Sequence, residues 1–486
     1  MSQEPKKVGR RTFLNYAIAV IAASVIVGTA TYFAVPKGEV TVTTTKTVTT
    51  TVTGTTTATT SPTTSSTTPP AGKTYVEFWT ELVEEPRMEV LNRAADAFMK
   101  ENPDIYVKVV PIAEADYPTK LTSAYMSGKM PQVMEIPTYF APEWLTELDA
   151  DAITDVINEI GEDQFVYPLK IWQIPGERKW YAASWIPWIS QVYYRRDWFE
   201  EAGLETPKDV ITWDQMLSAA TKLNKPPDRY GILFINAKED IGSNQIYFTV
   251  GYANGVKLLD EDLNIRFDDP ESIETLQYLQ NLSKYTPPGP DDSKALFTLY
   301  PVLPGTIAID IANTYMAFRI YNTAPDLIPK NEIISRIKNK VEGMFGEDYA
   351  LGIFKTNSTP AQIEASKKWC KFLLTSKYYA ELCGLVVFGL FPVVKSITFS
   401  NEYLNNPIVK AFGGRATVES LIEGFKKMQV PAYAEGKGIV REFGPPWSKF
   451  LIAQAVYEVC NENASPKDTA VKYAEKMREA IKEMKK

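Results

Sequence analysis

Histidine is absent from all 486 residues. That excludes His-type zinc sites, Ser-His-Asp triads and Cys-His dyads. Cysteine is scarce: Cys370, Cys383 and Cys460 are the whole set, and none sits in a CxxC spacing. An odd count leaves at least one thiol free. The others either pack as small hydrophobes or pair. Positive charge is not in excess, since 52 Lys and Arg stand against 59 Asp and Glu, a net charge of −7 with pI near 5.2. A nucleic-acid binder needs a basic surface, so this balance argues against that class. No GxxxxGK[ST] phosphate loop occurs. Asp260 to Asn264 begins like a calcium loop, but Ile265 stands where that loop needs glycine. No cofactor and no metal are expected.

What is present begins with a targeting segment. Residues 1–16 carry Lys6, Lys7, Arg10 and Arg11, and residues 17–35 form an uncharged apolar run. As helix, that run spans about 28 Å, close to the hydrocarbon thickness of a bilayer. The basic flank predicts the N-terminus inside and the body outside. Arg10-Arg11-Thr12-Phe13-Leu14 is similar to a twin-arginine export signal. No clean A-x-A cleavage site follows, which favours a retained anchor over a cleaved signal. Residues 36–72 are a linker. Positions 40 to 70 hold 18 threonines and three serines. Such a segment buries too little apolar surface to offset its ordering entropy, so disorder is expected. Sequons at Asn281, Asn357 and Asn463 fit a cell-surface protein.

The body, 73–486, is longer than one core needs and predicts two lobes. Thr74 to Trp79 alternates as a strand, Arg87 to Lys100 is an amphipathic helix, and Ile105 to Val110 is a second strand. Tyr117 to Ser127 is a helix stopped by Gly128, and Gln132 to Ile136 is a third strand. This β-α-β-α-β order predicts an open α/β lobe with ligands outside the carboxyl ends of parallel strands. Farther on, Tyr193 to Leu223 reads strand, short helix, Gly203, Pro207, then a second helix. Thr212 and Gln215 form a capping-box pair at its start. Trp213, Met216, Leu217, Ala220 and Leu223 fall on its apolar face, so Trp213 reads as core. Trp198 and Trp369 read the same way.

These segments, taken in order, resemble the family 1 extracellular solute-binding proteins, the sugar-binding receptors of ABC importers, of maltose-binding-protein type. Phe98, Lys100, Asn102 to Ile105 and Val107 are similar to the family's opening, as are Lys120, Leu121, Ala124, Ser127, Gly128, Pro131 and Val133. Gln132 departs from the usual aspartate. Asn254-Gly255, Phe267 to Glu271, Gly305 to Ile311, Ala365 to Thr375 and Ser465-Pro466 continue the likeness to near Met484. The resemblance implies an α/β, two-lobed periplasmic-binding-protein-like fold of type II. It puts lobe 1 at about 73–187 and 313–350, and lobe 2 at about 190–310 and 352–486. Gly305 to Ile311 would be the strand that returns the chain to the first lobe.

The same resemblance implies the ligand residues. Glu81 follows the first strand and Tyr139 the third. Trp185 and Trp188 lie at the first crossing between lobes. Asn244, Gln245 and Tyr247 lie near a contact segment of the second lobe. Asn313 and Tyr315 follow the return strand, with Tyr315 where a stacking tryptophan is common. Trp447 matches a second stacking position, in a Gly444-Pro445-Pro446 stretch that reads as loop. A sugar packs its C–H face on aromatic rings and its hydroxyls on planar polar groups, so aromatics with sparse polar partners suit a saccharide cleft.

The function these readings imply is a non-catalytic, monomeric receptor held at the cell surface. It would capture a small-molecule carbohydrate, an oligosaccharide by preference, and pass it to ABC permease subunits in the membrane. Three alternatives remain open at this stage, one of them a stalked adhesin or sensor of the same fold with no transporter. Another is a surface glycoside hydrolase with two carboxylates. The third is a binder of the same fold for a peptide or polyamine.

Overall fold

The computed structural model describes residues 71–113, 116–167, 169–287, 305–312 and 316–486. The apolar run at 17–35, the Thr-rich linker, Asn313 and Tyr315 all lie outside the described residues. The first elements follow the alternation of the sequence. They are β1 Thr74–Thr80, α1 Glu85–Glu101, β2 Ile105–Pro111, α2 Tyr117–Ser127, β3 Val133–Pro137 and α3 Ala150–Ile160. β1 lies parallel to both β2 and β3. Helix α1 buries Val90, Leu91, Ala94, Ala95 and Phe98. Gly128 ends α2 with φ +67°, a left-handed conformation that costs glycine little.

The chain leaves this sheet through β4 Ala183–Ser184 and enters a second layer through β5 Trp188–Ile189 and β6 Gln191–Arg195. There follow α4 Arg196–Glu201, β7 Val210–Thr212, α5 Trp213–Leu223, α6 Ile241–Gly251 and α7 Pro270–Ser283. The capping box of α5 forms as expected, with Thr212 Oγ1 accepting from Gln215 N–H at 3.1 Å and Gln215 Oε1 accepting from Thr212 N–H at 2.9 Å. Trp213 is buried and stacks on Tyr278 with ring centroids 4.0 Å apart. Trp369 is fully buried too. Trp198 is not core. It is half-buried, held between the guanidinium groups of Arg195 and Arg229, each 3.9 Å from its ring centre.

The next strands correct the expected lobe boundaries. β8 Ile309–Ala312 pairs antiparallel with β6, which also pairs with β9 Asn331–Ile334. The chain has therefore not returned to the first sheet at 305–312. After α8 Met316–Thr323 come β10 Arg336–Lys338 and β11 Glu342–Glu347, still beside β7 and β5. Only β12 Tyr349–Ile353 rejoins the first sheet, between β3 and β4. The return is thus a single residue, Asp348. Helices α9 Pro360–Thr375 and α10 Lys377–Leu385 then pack on α1, α3 and β1 of the first lobe, where lobe 2 was expected. Short helical turns lead to α11 Arg415–Lys426 and β13 Met428–Gln429 against β11. A small hairpin, β14 Tyr433–Ala434 with β15 Gly438–Ile439, follows. α12 Gly444–Ser448, α13 Leu451–Asn461 and α14 Pro466–Met484 close the second lobe against α6 and α7. Cys370, Cys383 and Cys460 are all free thiols, and burial pushes the Cys460 thiol up to about 12.

Candidate functional site

The segment after β3 meets the second lobe through Tyr139, close to where the chain crosses between the lobes. Glu135 anchors the first-lobe side. It sits in the middle of the apolar strand β3 with no exposure. Its Oε2 accepts the Glu81 N–H at 3.1 Å and the Thr80 hydroxyl, and Thr80 Oγ1 accepts the Leu82 N–H at 3.2 Å. A buried carboxylate that accepts several donors holds its neighbours' backbone firmly. The turn carrying Glu81 is fixed in this way.

After β3, Thr138 N–H donates to the Asp348 carbonyl at 3.1 Å. That tie aims Tyr139 at the other lobe. The half-buried Tyr139 ring stacks on Trp447, with centroids 6.5 Å apart and planes 23° apart, and meets Tyr349 edge-on at 6.5 Å. The two rings of this stack come from different lobes. Trp188, half-buried on β5, meets Phe345 edge-on at 5.4 Å. Phe345 also lies 6.3 Å from Trp447, so Tyr139, Tyr349, Trp188, Phe345 and Trp447 form one aromatic seam. Glu347, 2% exposed, is the strand partner of Trp188 at the edge of this seam. Gln132, the departure from the family pattern, accepts the Glu77 N–H at 2.9 Å and so plays a structural part.

Several expected contacts are corrected. Trp447 does not stand on a loop. It lies in α12, is only 6% exposed, and packs on Phe443, Phe345 and Phe248 at 5.1, 6.3 and 6.5 Å. Proline is tolerated in the first turn of a helix, where its missing N–H has no partner to lose, so Gly-Pro-Pro opens a helix here. Trp185 is fully buried in the first lobe, edge-on to Phe78 at 5.9 Å, and its carbonyl accepts the Tyr379 hydroxyl. Asn244 is fully buried on α6. It donates to the Trp447 carbonyl at 3.2 Å and accepts the Ala453 N–H at 2.9 Å, so it joins α6 to α12 and α13. Tyr247 is core, donating its hydroxyl to Ser272 at 2.8 Å. Burial raises the Tyr247 phenol well above its usual range, so it stays neutral. Gln245 is half-buried on the same helix. Tyr139, Trp188 and Trp447 are joined in the aromatic seam, and Glu81 sits in the turn after β1 that Glu135 holds. Trp185, Asn244 and Tyr247 are packed inside their own lobes.

Sequence reading missed Glu135, Asp348, Phe345 and Tyr349. The signal was there in part: a lone acid inside Val133–Pro137, and two acids interrupting the apolar run around Phe345 and Leu351.

Residues 83–380 match a family model described as bacterial extracellular solute-binding protein. An Escherichia coli K12 protein named as an ABC transporter periplasmic-binding protein, YcjN, is 29% identical over 342 residues, 70% of this chain and 77% of its own length. A mannitol-binding protein of Pseudomonas aeruginosa is 25% identical over 349 residues, 68% of this chain and 76% of its own. The sugar-binding protein MalE of Xanthomonas citri has the same fold. It aligns with a TM-score of 0.67 at 17% identity, covering 84% of this chain and 98% of that one.

Proposed function

The chain belongs to the family of bacterial extracellular solute-binding proteins, and we propose that it captures a carbohydrate between its lobes for delivery to the permease of an ABC importer. The observation that carries the ligand class is the seam where Tyr139 of one lobe stacks on Trp447 of the other. Opening the lobes would part these rings and offer a sugar two aromatic faces, with Glu81 and Glu347 beside them for its hydroxyls. Closing on the ligand would then be driven by contacts that exist only in the closed state. Relatives named for mannitol and for sugar support the same ligand class. Glu81, Tyr139, Trp188, Gln245 and Trp447 are the proposed contacts, with Asn313 and Tyr315 retained from the resemblance. The family is one of binding proteins, so no catalytic role is assigned to the carboxylates.

The test is a thermal-shift screen of the body against sugars, peptides and polyamines. A sugar at a hundred times its Kd should stabilise the fold by about 2.7 kcal/mol. Trp188→Ala, at a half-buried ring, should weaken that sugar about tenfold while leaving the body folded. Stabilisation by a peptide or polyamine alone would replace the carbohydrate reading. Release of shortened sugars would replace the receptor reading altogether.

We also propose that residues 17–35 anchor the body outside the membrane and that the Thr-rich linker spaces it from the surface. The basic residues before the run support this orientation. Among the described residues, no helix is long and apolar enough to cross a membrane. On this proposal, a chain starting at Ala71 should be released from the membrane and should bind like the parent. A truncated chain that fails to fold would move the domain boundary. A full chain that fractionates away from membranes would remove the anchor.

A further inference from the structure

We propose that Asn357 and Asn463 are N-linked glycosylation sites, each taking an oligosaccharide from a lipid-phosphate-linked donor, and that Asn281, the third sequon, stays bare. The proposal needs the body to stand outside the membrane, as in its extracellular family. It does not depend on which ligand the cleft takes.

The three sequons offer different surfaces. Asn357 is exposed in the loop between β12 and α9, and Asn463 is exposed between α13 and α14. Both adopt a left-handed backbone, with φ of +64° and +54°. That conformation is uncommon for residues with a side chain, and asparagine tolerates it better than most. Two residues on, Thr359 and Ser465 are the N-caps of α9 and α14. Their hydroxyls accept the Gln362 N–H at 3.3 Å and the Asp468 N–H at 3.4 Å. Helix capping accounts for a hydroxyl residue at both places. It gives the asparagine carboxamides no task, for among the described residues neither has a hydrogen-bond partner.

Asn281 is placed otherwise. It is half-buried in the last turn of α7, where its Oδ1 accepts Lys284 Nζ at 3.1 Å. The Ser283 hydroxyl that completes its sequon is engaged with the Gln280 and Cys460 carbonyls at 3.0 and 3.3 Å. A transferase must reach both the carboxamide and the hydroxyl, and here both are held in a packed helix.

The two exposed sites also lie away from the cleft. Ile353, at the end of β12, pairs with Val133 at the start of β3, whereas Tyr139 follows the other end of β3. The strand between them spans about 13 Å. In the second lobe, the Ala453 N–H donates to Asn244 beside Trp447, and α13 then runs on about 12 Å to Asn461. A glycan at either place projects from the outer end of its lobe and leaves the aromatic seam open.

The transfer is a substitution at a sugar carbon. Asn Nδ2 bonds to the anomeric carbon of the donor. The bond from that carbon to the phosphate oxygen breaks, and the lipid phosphate leaves with its electron pair. One amide proton passes to a base of the transferase, and nothing is oxidised or reduced. The product is bulky and hydrophilic, which suits an exposed loop and not a packed helix.

The experiment is peptide mass spectrometry of the full chain purified from the cells that make it. Peptides holding Asn357 and Asn463 should carry a glycan, with fragmentation placing it on the asparagine, and the peptide holding Asn281 should be bare. Asn357→Gly and Asn463→Gly suit the left-handed backbone, so each should fold like the natural chain and lose one glycan. Thr359→Ser keeps both the cap and the sequon, so the Asn357 glycan should remain. A bare Asn357 overturns that site, and a bare Asn463 overturns the other. A glycan on Asn281 overturns the selection by exposure.

Discussion

Trp447→Ala is expected to cost about 3–5 kcal/mol of folding stability and to abolish most ligand-induced stabilisation in what remains folded. The first effect follows from packing. Trp447 is 6% exposed, and its ring is surrounded by Phe443, Phe345 and Phe248 of its own lobe. Its carbonyl also holds Asn244, which in turn holds the start of α13. Removing the indole leaves a cavity that these short, mutually braced helices cannot collapse to fill. The second effect follows from position, because the ring is the second lobe's half of the Tyr139 stack. Denaturant unfolding without ligand, followed by titration of the folded fraction, separates the two. An unchanged unfolding midpoint with lost affinity would make Trp447 a surface stack and contradict its burial. An unchanged affinity per folded molecule would remove it from the cleft.

This residue also shows where sequence reading reaches its limit. The resemblance proposes a place for it in a cleft wall, but its burial was not legible, because Gly-Pro-Pro reads as loop until tertiary contacts settle it as a helical turn. The strands β1 to β3 and the helices α1, α2 and α5 were legible, since each shows its own period and its own stop signal. Helix α6 hides its role because it is buried almost all round, so Asn244 and Tyr247 give no amphipathic hint of facing inward. The return to the first lobe was misplaced for a different reason. Ile307 to Ile311 and Leu351 to Ile353 are both short apolar runs, and either could carry the chain across. Pairing with β6 or with β3, each more than a hundred residues away, decides between them. Such long-range pairing has no local signature. Asp348 was missed because a lone acid next to Glu347 reads as a turn, and only the meeting of β4, β11 and β12 buries it.

Gly346→Ala should be the most damaging single-methyl change in the crossing region, with a loss of about 3 kcal/mol or more and a lower ligand affinity. Gly346 faces Ile189 in the pairing of β11 with β5. A Cβ there would overlap the Trp188 carbonyl oxygen and Met428 Sδ, and would stand 2.8 Å from Met428 Cγ. The methionine could swing aside, but the carbonyl belongs to a backbone already fixed in the strand pair. Relief must come from parting β5 and β11, which carry the two crossings. That movement shifts Trp188, the half-buried ring of the seam, and with it Phe345. The comparison is Gly255→Ala, where a Cβ meets nothing within 4 Å and only the positive φ of 82° opposes it. There the loss should stay near 1 kcal/mol and ligand affinity should not change. Unfolding curves and ligand titration of the two variants provide the check. If Gly346→Ala is no more harmful than Gly255→Ala, β5 and β11 are not tightly packed at the crossing, and Trp188 loses its claim to a fixed place in the cleft.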